Sequence, residues 1–266
     1  MTLMTSPSSN ARPKINQRLL TAPADAVLTL AWLRAHGVSG KLANYYVGSG
    51  WLHQVGEGAF TVNSETPGWL GAVFGLQQKP TSLHPGGRTA LELVGSAHYL
   101  PLGDDYSIYL FGRPADRLPA WFKRLPWANR VRHVRSNFLQ TDLGLREHRA
   151  GSFTLRISDP ERAILELLLH LTPDAAAYEH ANFLFEGLGT LRAPLVQSLL
   201  EKCSSVKVKR LFLHLSEKHG HPWFKELDQA KVSIGSGKRA FFPGGRLDPK
   251  YLITVPATTD APGSAP

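Results

Sequence analysis

The sequence predicts an α+β protein, an N-terminal winged helix-turn-helix followed by a larger mixed α/β domain. Three observations carry that expectation. Residues 29–62, TLAWLRAHGVSGKLANYYVGSGWLHQVGEGAFTV, read as a helix, a glycine turn, a second helix and a β-hairpin, in that order. Further along, β-like runs such as YSIYLFG and SFTLRIS precede four helical stretches. The chain has 266 residues, 42% of them hydrophobic, enough to build one large or two modest cores.

Taken in order, residues 1–13 are polar and rich in Ser and Pro and are expected to form a disordered tail. Lys14 to Leu20 suit a short helix. Thr29 is placed to cap the helix that carries Leu30, Trp32 and Leu33, and Gly37 to end it in a left-handed conformation with Val38 just beyond. Ser39 can cap the next helix. There Leu42, Ala43, Tyr46 and Val47 share one face, and Lys41, Asn44, Tyr45 and Gly48 the opposite one. Ser49-Gly50 closes it. Trp51, Leu52 and Val55 lead to the turn Gly56-Glu57-Gly58, and Ala59 to Val62 return. A helix WLGAVFGLQ, apolar nearly all round, and a shorter RTALELVG follow and are expected to strap the winged unit. That domain is assigned to residues 14–95.

The second domain is assigned to residues 96–255. YSIYLFG, RVRHVRSNFL and SFTLRIS suggest a mixed sheet. Ser158-Asp159-Pro160-Glu161 has the form of a capping box with Pro in the first turn, ahead of RAILELLLHL. AAYEHANFLFEGL, APLVQSLLEKC and VKRLFLHLSEKHG continue as helices, and AFFPGG and KYLITV return to strand around Arg246. The last residues, 256–266, form a loose tail.

The formal net charge is +9, which favours polyanionic partners. The excess is uneven. Residues 112–150 hold nine Lys/Arg against three Asp/Glu and residues 200–250 hold eleven against five, while residues 151–199 hold three against six. A winged helix alone does not account for the two later surpluses. The single cysteine, Cys203, excludes a disulfide framework and lies in an apolar helical stretch. No apolar run reaches the length of a membrane span, and the N-terminus lacks the apolar region of a signal peptide, so a cytoplasmic location is expected.

No motif points to catalysis. His214, His219 and His221 cluster, but their spacing does not reproduce a helical ligand pair and no HExxH is present, so no metal is assigned. Gly235-Ser236-Gly237-Lys238 resembles the end of a phosphate loop, but Val232 stands where its first glycine belongs and Arg239 where its hydroxyl belongs. It reads as a glycine turn with basic residues. Asp104-Asp105 reads as turn chemistry, and there is no nucleophile elbow. The expectation is a non-enzyme that needs no cofactor.

DNA binding follows from the helix pair. A reading helix needs a buried stripe to fix it and a polar stripe left free. Lys41 can meet phosphate, Asn44 can pair with adenine through two hydrogen bonds, and Tyr45 can touch phosphate or a thymine methyl.

SGWLHQVGEGAFTV, then the LGAVFGLQ helix, GGRTALELVGSAHYL and SDPERAILELL resemble the AbiEi antitoxins of bacterial abortive-infection toxin–antitoxin systems, over about residues 14–255. The resemblance implies a winged helix that binds inverted repeats in its own promoter and represses the operon. It also implies a C-terminal antitoxin domain and a functional partner, an AbiEii-like nucleotidyltransferase toxin. The pair is of type IV, in which the toxin's effect is opposed without a stable complex, so direct contact stays open. Promoter contacts then fall on 39–49 and on the wing 53–61, which adds Ser39, Ser49, His53 and Gln54 to Lys41, Asn44 and Tyr45. Inverted repeats would seat two copies, as a dimer in solution or only on DNA. Basic surface of the second domain, implied to matter in the family, maps to Arg130, Arg132 and Arg135 and to Lys202, Lys207, Lys209 and Arg210. The alternative is a stand-alone winged-helix regulator whose second domain senses a ligand or partner.

Overall fold

The computed structural model describes residues 22–95 and 107–257. The expected helix at Lys14–Leu20, the Asp104-Asp105 pair and the expected tails, up to residue 13 and from residue 258, lie outside the described residues. The chain divides into two compact units. The first takes Met1–Lys79, Leu118–Pro126 and Arg149–Thr154; the second takes Pro80–Arg117, Trp127–His148 and Leu155–Pro266.

The first unit is built by local signals. Strand β1 (Leu28–Thr29) runs directly into helix α1 (Leu30–Ala35), and Thr29 Oγ1 accepts the Trp32 N–H at 3.2 Å. The helix ends with Gly37 N–H on Arg34 O (3.0 Å) and Val38 N–H on Leu33 O (2.8 Å). Gly37 makes that turn at φ +81°, where a side chain would be strained. Helix α2 (Gly40–Gly48) begins at Ser39, whose Oγ accepts the Leu42 N–H at 3.2 Å. The hairpin of β2 (His53–Gly56) and β3 (Ala59–Thr61) then joins β1 in an antiparallel sheet of order β1-β3-β2. Leu28, Leu33, Val38, Ala43, Tyr46, Leu52 and Phe60 pack into one core from β1, both helices, β3 and the intervening loops. The larger of these side chains are worth about 1.5–3 kcal/mol each when fully buried.

Helix α3 (Trp69–Gln77) uses glycine to approach the start of this sheet. Gly71 O accepts the Val27 N–H at 3.0 Å, and a Cβ on Gly71 would lie 1.9 Å from Asp25 O. Just past the helix, Gln78 Oε1 accepts from both Thr29 N and Thr29 Oγ1 at 2.7 Å, while Gln78 Nε2 donates to Val27 O at 2.8 Å.

In the second unit, β4 (His84–Pro85), helix α4 (Gly87–Leu93) and β5 (Ile108–Gly112) come first. The RTALELVG helix, grouped by its sequence position with the winged unit, thus falls in the second. The short α5 (Ala120–Lys123) belongs to the first unit, where a Cβ on Gly56 would sit 2.6 Å from Trp121 Cβ. Strand β6 (Val131–Arg135) returns to the second unit and completes a mixed sheet of order β4-β5-β6, with β4 antiparallel and β6 parallel to β5. Strands β7 (Leu145–Ala150) and β8 (Phe153–Ser158) pair with each other. Four helices follow, α6 (Pro160–His170), α7 (Ala175–Glu186), α8 (Ala193–Lys202) and α9 (Val206–His219), and a two-stranded ladder of β9 (Arg246–Asp248) and β10 (Ile253–Val255) ends the described chain. Their core gathers Ile164, Leu168, Tyr178, Phe185, Leu199, Leu211 and Phe212, among others.

Three local expectations are corrected. The capping box at Ser158 does not close: Asp159 holds the N-cap position without a side-chain capping bond. The Ser158 hydroxyl donates instead to Glu166 Oε2 (2.7 Å), and Arg192 draws both Asp159 (2.7 Å) and Glu161 (2.9 Å) away from the helix end. AFFPGG is not a strand. Pro243 has no N–H to give a ladder, and the Phe242 N–H bonds the Thr254 hydroxyl at 2.8 Å. Lys209 and Arg210, read as surface, are buried, with only 6% and 1% of their area exposed. Arg210 Nε donates to Ile234 O (2.9 Å), Nη1 to Gly237 O (2.8 Å) and Leu252 O (2.7 Å), and Nη2 to Ser236 O (3.4 Å). The glycine turn at 235–237 therefore turns its carbonyls toward an internal cation.

Candidate nucleic-acid interface

The core of the first unit decides which side of α2 stays free. Ala43 and Tyr46 are buried and Leu42 and Val47 half-buried against that core. Burial, and secondarily the neighbouring Tyr45, pushes the Tyr46 hydroxyl pKa up, so it stays a neutral phenol inside. On the opposite face Lys41, Asn44, Tyr45 and Gly48 are all exposed, Tyr45 to 67%. No hydrogen bond among the described residues engages the side chains of Lys41 or Asn44. An exposed aromatic, a lysine and an amide share this face, the mixture of groups that meets phosphates and base edges in a major groove.

The remaining four residues expected at DNA lie in the same unit, with different freedom. Ser39 is exposed, and its oxygen holds the start of α2. Ser49 donates its hydroxyl to Tyr46 O at 3.3 Å, which leaves it acceptor capacity only. His53 is half-buried opposite Thr61. Gln54 is exposed on the wing strand, its Nε2 donating to Gly56 O at 3.4 Å. Sequence reasoning passed over Trp51 as a lead into the hairpin, yet it is 44% exposed just past the helix end, next to buried Leu52. The alternation of the two residues was the signal. Arg34 in the last turn of α1 is exposed as well.

In the second unit the seven basic residues of the expected patch separate. Arg130, Arg132 and Arg135 are exposed on and beside β6, the end strand of its sheet, and Lys202 is exposed at the end of α8. Lys207 is half-buried. Its Nζ donates to Leu169 O (2.7 Å) and Leu171 O (3.3 Å) and lies 4.6 Å from the centre of the Phe241 ring. Burial first, then Arg239, lowers its pKa to about 8. Together with Lys209 and Arg210, it is spent on structure.

The histidine cluster is structural too. His214 sits between Asp248 Oδ2 (2.6 Å) and the Tyr178 hydroxyl (2.9 Å), His219 Nε2 meets Asn182 Oδ1 (3.1 Å), and His221 Nε2 meets Phe185 O (2.6 Å). Among the described residues no group of three or more His, Cys, Asp or Glu side chains is placed to hold a metal ion. Cys203 is buried, and burial raises its thiol pKa. No described helix is long and apolar enough to cross a membrane.

Comparison with known proteins covers both parts of the chain. Residues 11–102 match the model for "Transcriptional regulator, AbiEi antitoxin N-terminal domain", and residues 105–256 that for "Transcriptional regulator, AbiEi antitoxin, Type IV TA system". A search of curated proteins found no match. Among solved structures, the RV2827C protein from Mycobacterium tuberculosis is similar in fold, with a TM-score of 0.52 and 17% identity over 90% of this chain and 88% of that one. With matches running through both parts, the chain belongs to the AbiEi family of transcriptional regulators and antitoxins of type IV toxin–antitoxin systems.

Proposed function

We propose that this protein represses its own promoter through the winged unit and, through the later domain, opposes a nucleotidyltransferase-type toxin. The observation that carries the first part is the exposed face of α2. Lys41, Asn44 and Tyr45 point away from a core that fixes the helix by its other side. Promoter reading belongs to the winged part of 14–95 and the antitoxin role to 96–255. Asn44 reads a base edge, Lys41 and the Ser39 end of the helix meet phosphates, and the strand carrying His53 and Gln54 lies along the backbone. Two copies occupy an inverted repeat, each reading one half-site. The protein acts by binding, not catalysis, in the cytoplasm.

For the antitoxin role the surface we assign is Arg130, Arg132, Arg135 and Lys202, which remain in water while the neighbouring cations of α9 do not.

Fluorescence anisotropy with the DNA upstream of the gene, against scrambled DNA and across a salt series, tests the promoter role. Sequence-preferring binding that weakens steeply with salt is expected. Equal weak binding to both DNAs would refute it. Lys41→Ala and Asn44→Ala should weaken promoter binding and leave toxin neutralisation intact. Loss of neutralisation in both variants, with the fold preserved, would refute the division of labour.

A further inference from the structure

We propose that a cavity of about 190 Å³ in the second unit, between α4, β5, α6 and α7, binds a small planar aromatic acid. The promoter reading plays no part in this assignment.

The cavity's wall is aromatic. Tyr109 and Phe111 stand two residues apart on β5, and the His170 ring lies 6.4 Å from the first and 6.1 Å, edge-on, from the second. Leu167 of α6 and Leu171 just past its end complete an apolar bed for a flat ring. The size fits one ring and one small acidic group, since a cavity of roughly 150 Å³ admits benzene. A nucleotide would need the roughly 300–1,000 Å³ of ordinary ligand sites.

Polar groups stand beside the ring bed. His180 lines the cavity, and its Nε2 is buried with no hydrogen-bond partner among the described residues. Arg88 also lines the cavity. It commits its Nε to Glu92 Oε1 at 2.7 Å, and its side chain is 34% exposed.

The one carboxylate on the cavity wall among the described residues is already neutralised. Glu166 Oε1 accepts from His84 Nε2 (2.9 Å) and Arg162 Nε (2.7 Å), and Oε2 from Gly87 N (3.0 Å) and Ser158 Oγ (2.7 Å). Gly86 is a glycine for this reason, since a Cβ there would lie 2.1 Å from Glu166 Oε2, while Gly87 is one because it turns at φ +55°. Arg88 and Lys207 are the cations whose charge reaches the two histidines of the wall. Burial and then Arg88 lower the His180 pKa, and burial and then Lys207 lower that of His170. Burial is the larger cause, and the smaller contribution of Arg88 and Lys207 has the sign that favours an incoming anion. The acid group is received by Arg88, and the ring lies against Tyr109, Phe111 and His170.

Benzoate is the probe, with benzyl alcohol (the ring without the charge) and acetate (the charge without the ring) as comparators, by titration calorimetry on the full-length protein. Benzoate should bind with a dissociation constant below about 1 mM, at least about tenfold tighter than either comparator. Arg88→Gln, at a partly exposed side chain, should weaken benzoate by about tenfold or more, the scale of one charge-assisted hydrogen bond. Ala177→Phe, which fills the cavity, should abolish binding, and thermal melts check that both variants fold. Absence of benzoate binding to the wild type overturns the proposal. So does benzyl alcohol or acetate binding as tightly as benzoate, or benzoate binding unchanged in folded Arg88→Gln.

Discussion

Among the described residues the two units differ in that only the second, beside its exposed cations, also turns basic residues inward. In the winged unit Lys41 and Arg34 stand in water, and the hydrogen bonds that hold the helices come from Thr29, Ser39 and Gln78. In the second unit Arg210, Arg162 and Lys207 are turned inward as donors to backbone carbonyls and a buried carboxylate. Basic residues counted in a sequence are therefore not all surface residues, although buried Arg162, Lys209 and Arg210 are matched in number by buried Asp159, Glu161 and Glu166. Where a cation replaces backbone partners inside the fold, its loss is a stability effect. Where it stands in water, its loss is a binding effect.

The sharpest way to break this contrast is at Arg210. Arg210→Ala leaves the carbonyls of Ile234 and Gly237 without this donor, takes from Leu252 O one of its two donors, and should cost about 3 kcal/mol or more of stability in urea unfolding. Arg135→Ala, at an exposed position, should change it by no more than about 0.5 kcal/mol. Equal effects would mean that the inward and outward cations do not differ.

The buried acid gives a second test, read through pH. Burial alone would raise the Glu166 pKa, but His84, then Arg162 and Ser158, bring it down to about 2, against an ordinary value of 4.5. The folded value lies below the unfolded one. The stabilisation is thus present above pH 4.5 and lost as pH falls from there toward 2. Between pH 5 and pH 3 the wild type should lose about 2 kcal/mol more stability than Glu166→Gln. Parallel acid unfolding curves for the two proteins would show that the carboxylate is not held ionised by its partners.

On the winged unit the expected effects move to DNA. Asn44→Ala should cost about 1–3 kcal/mol of promoter affinity and relax the preference for a single base position, with stability nearly unchanged. Lys41→Ala should weaken all DNA alike and lower the salt dependence by about one counterion. An Asn44→Ala loss that is the same on scrambled DNA would assign that residue to the backbone.

What could be read from the sequence follows the range of the interactions. The caps at Thr29 and Ser39, the left-handed Gly37 and the two faces of α2 depend on residues within one or two turns, and the mixed sheet and four helices of the second unit were visible as periodic runs. The Ser158 box failed because Arg192, some thirty residues further on, competes for its acids. Arg210 looked like surface because Ile234, Gly237 and Leu252 reach it from distant loops. His170 and His180 lie on successive helices with no ligand spacing, and only the fold brings them to one cavity with Arg88.

Ser39 carries the smallest expected effect and separates the two roles assigned to it. Its oxygen satisfies the Leu42 N–H, so Ser39→Ala should cost about 1 kcal/mol of stability. Ser39→Asp restores the cap, and its charge suits the positive end of a helix, so stability should return to the wild-type level. DNA separates the variants again. A carboxylate at that helix end repels the phosphate that the free end of α2 would attract, so Ser39→Asp should bind the promoter more weakly than Ser39→Ala although it is the more stable protein. If affinity instead follows stability through the series, Ser39 acts only by holding α2 in place, and the phosphate contact moves to Lys41.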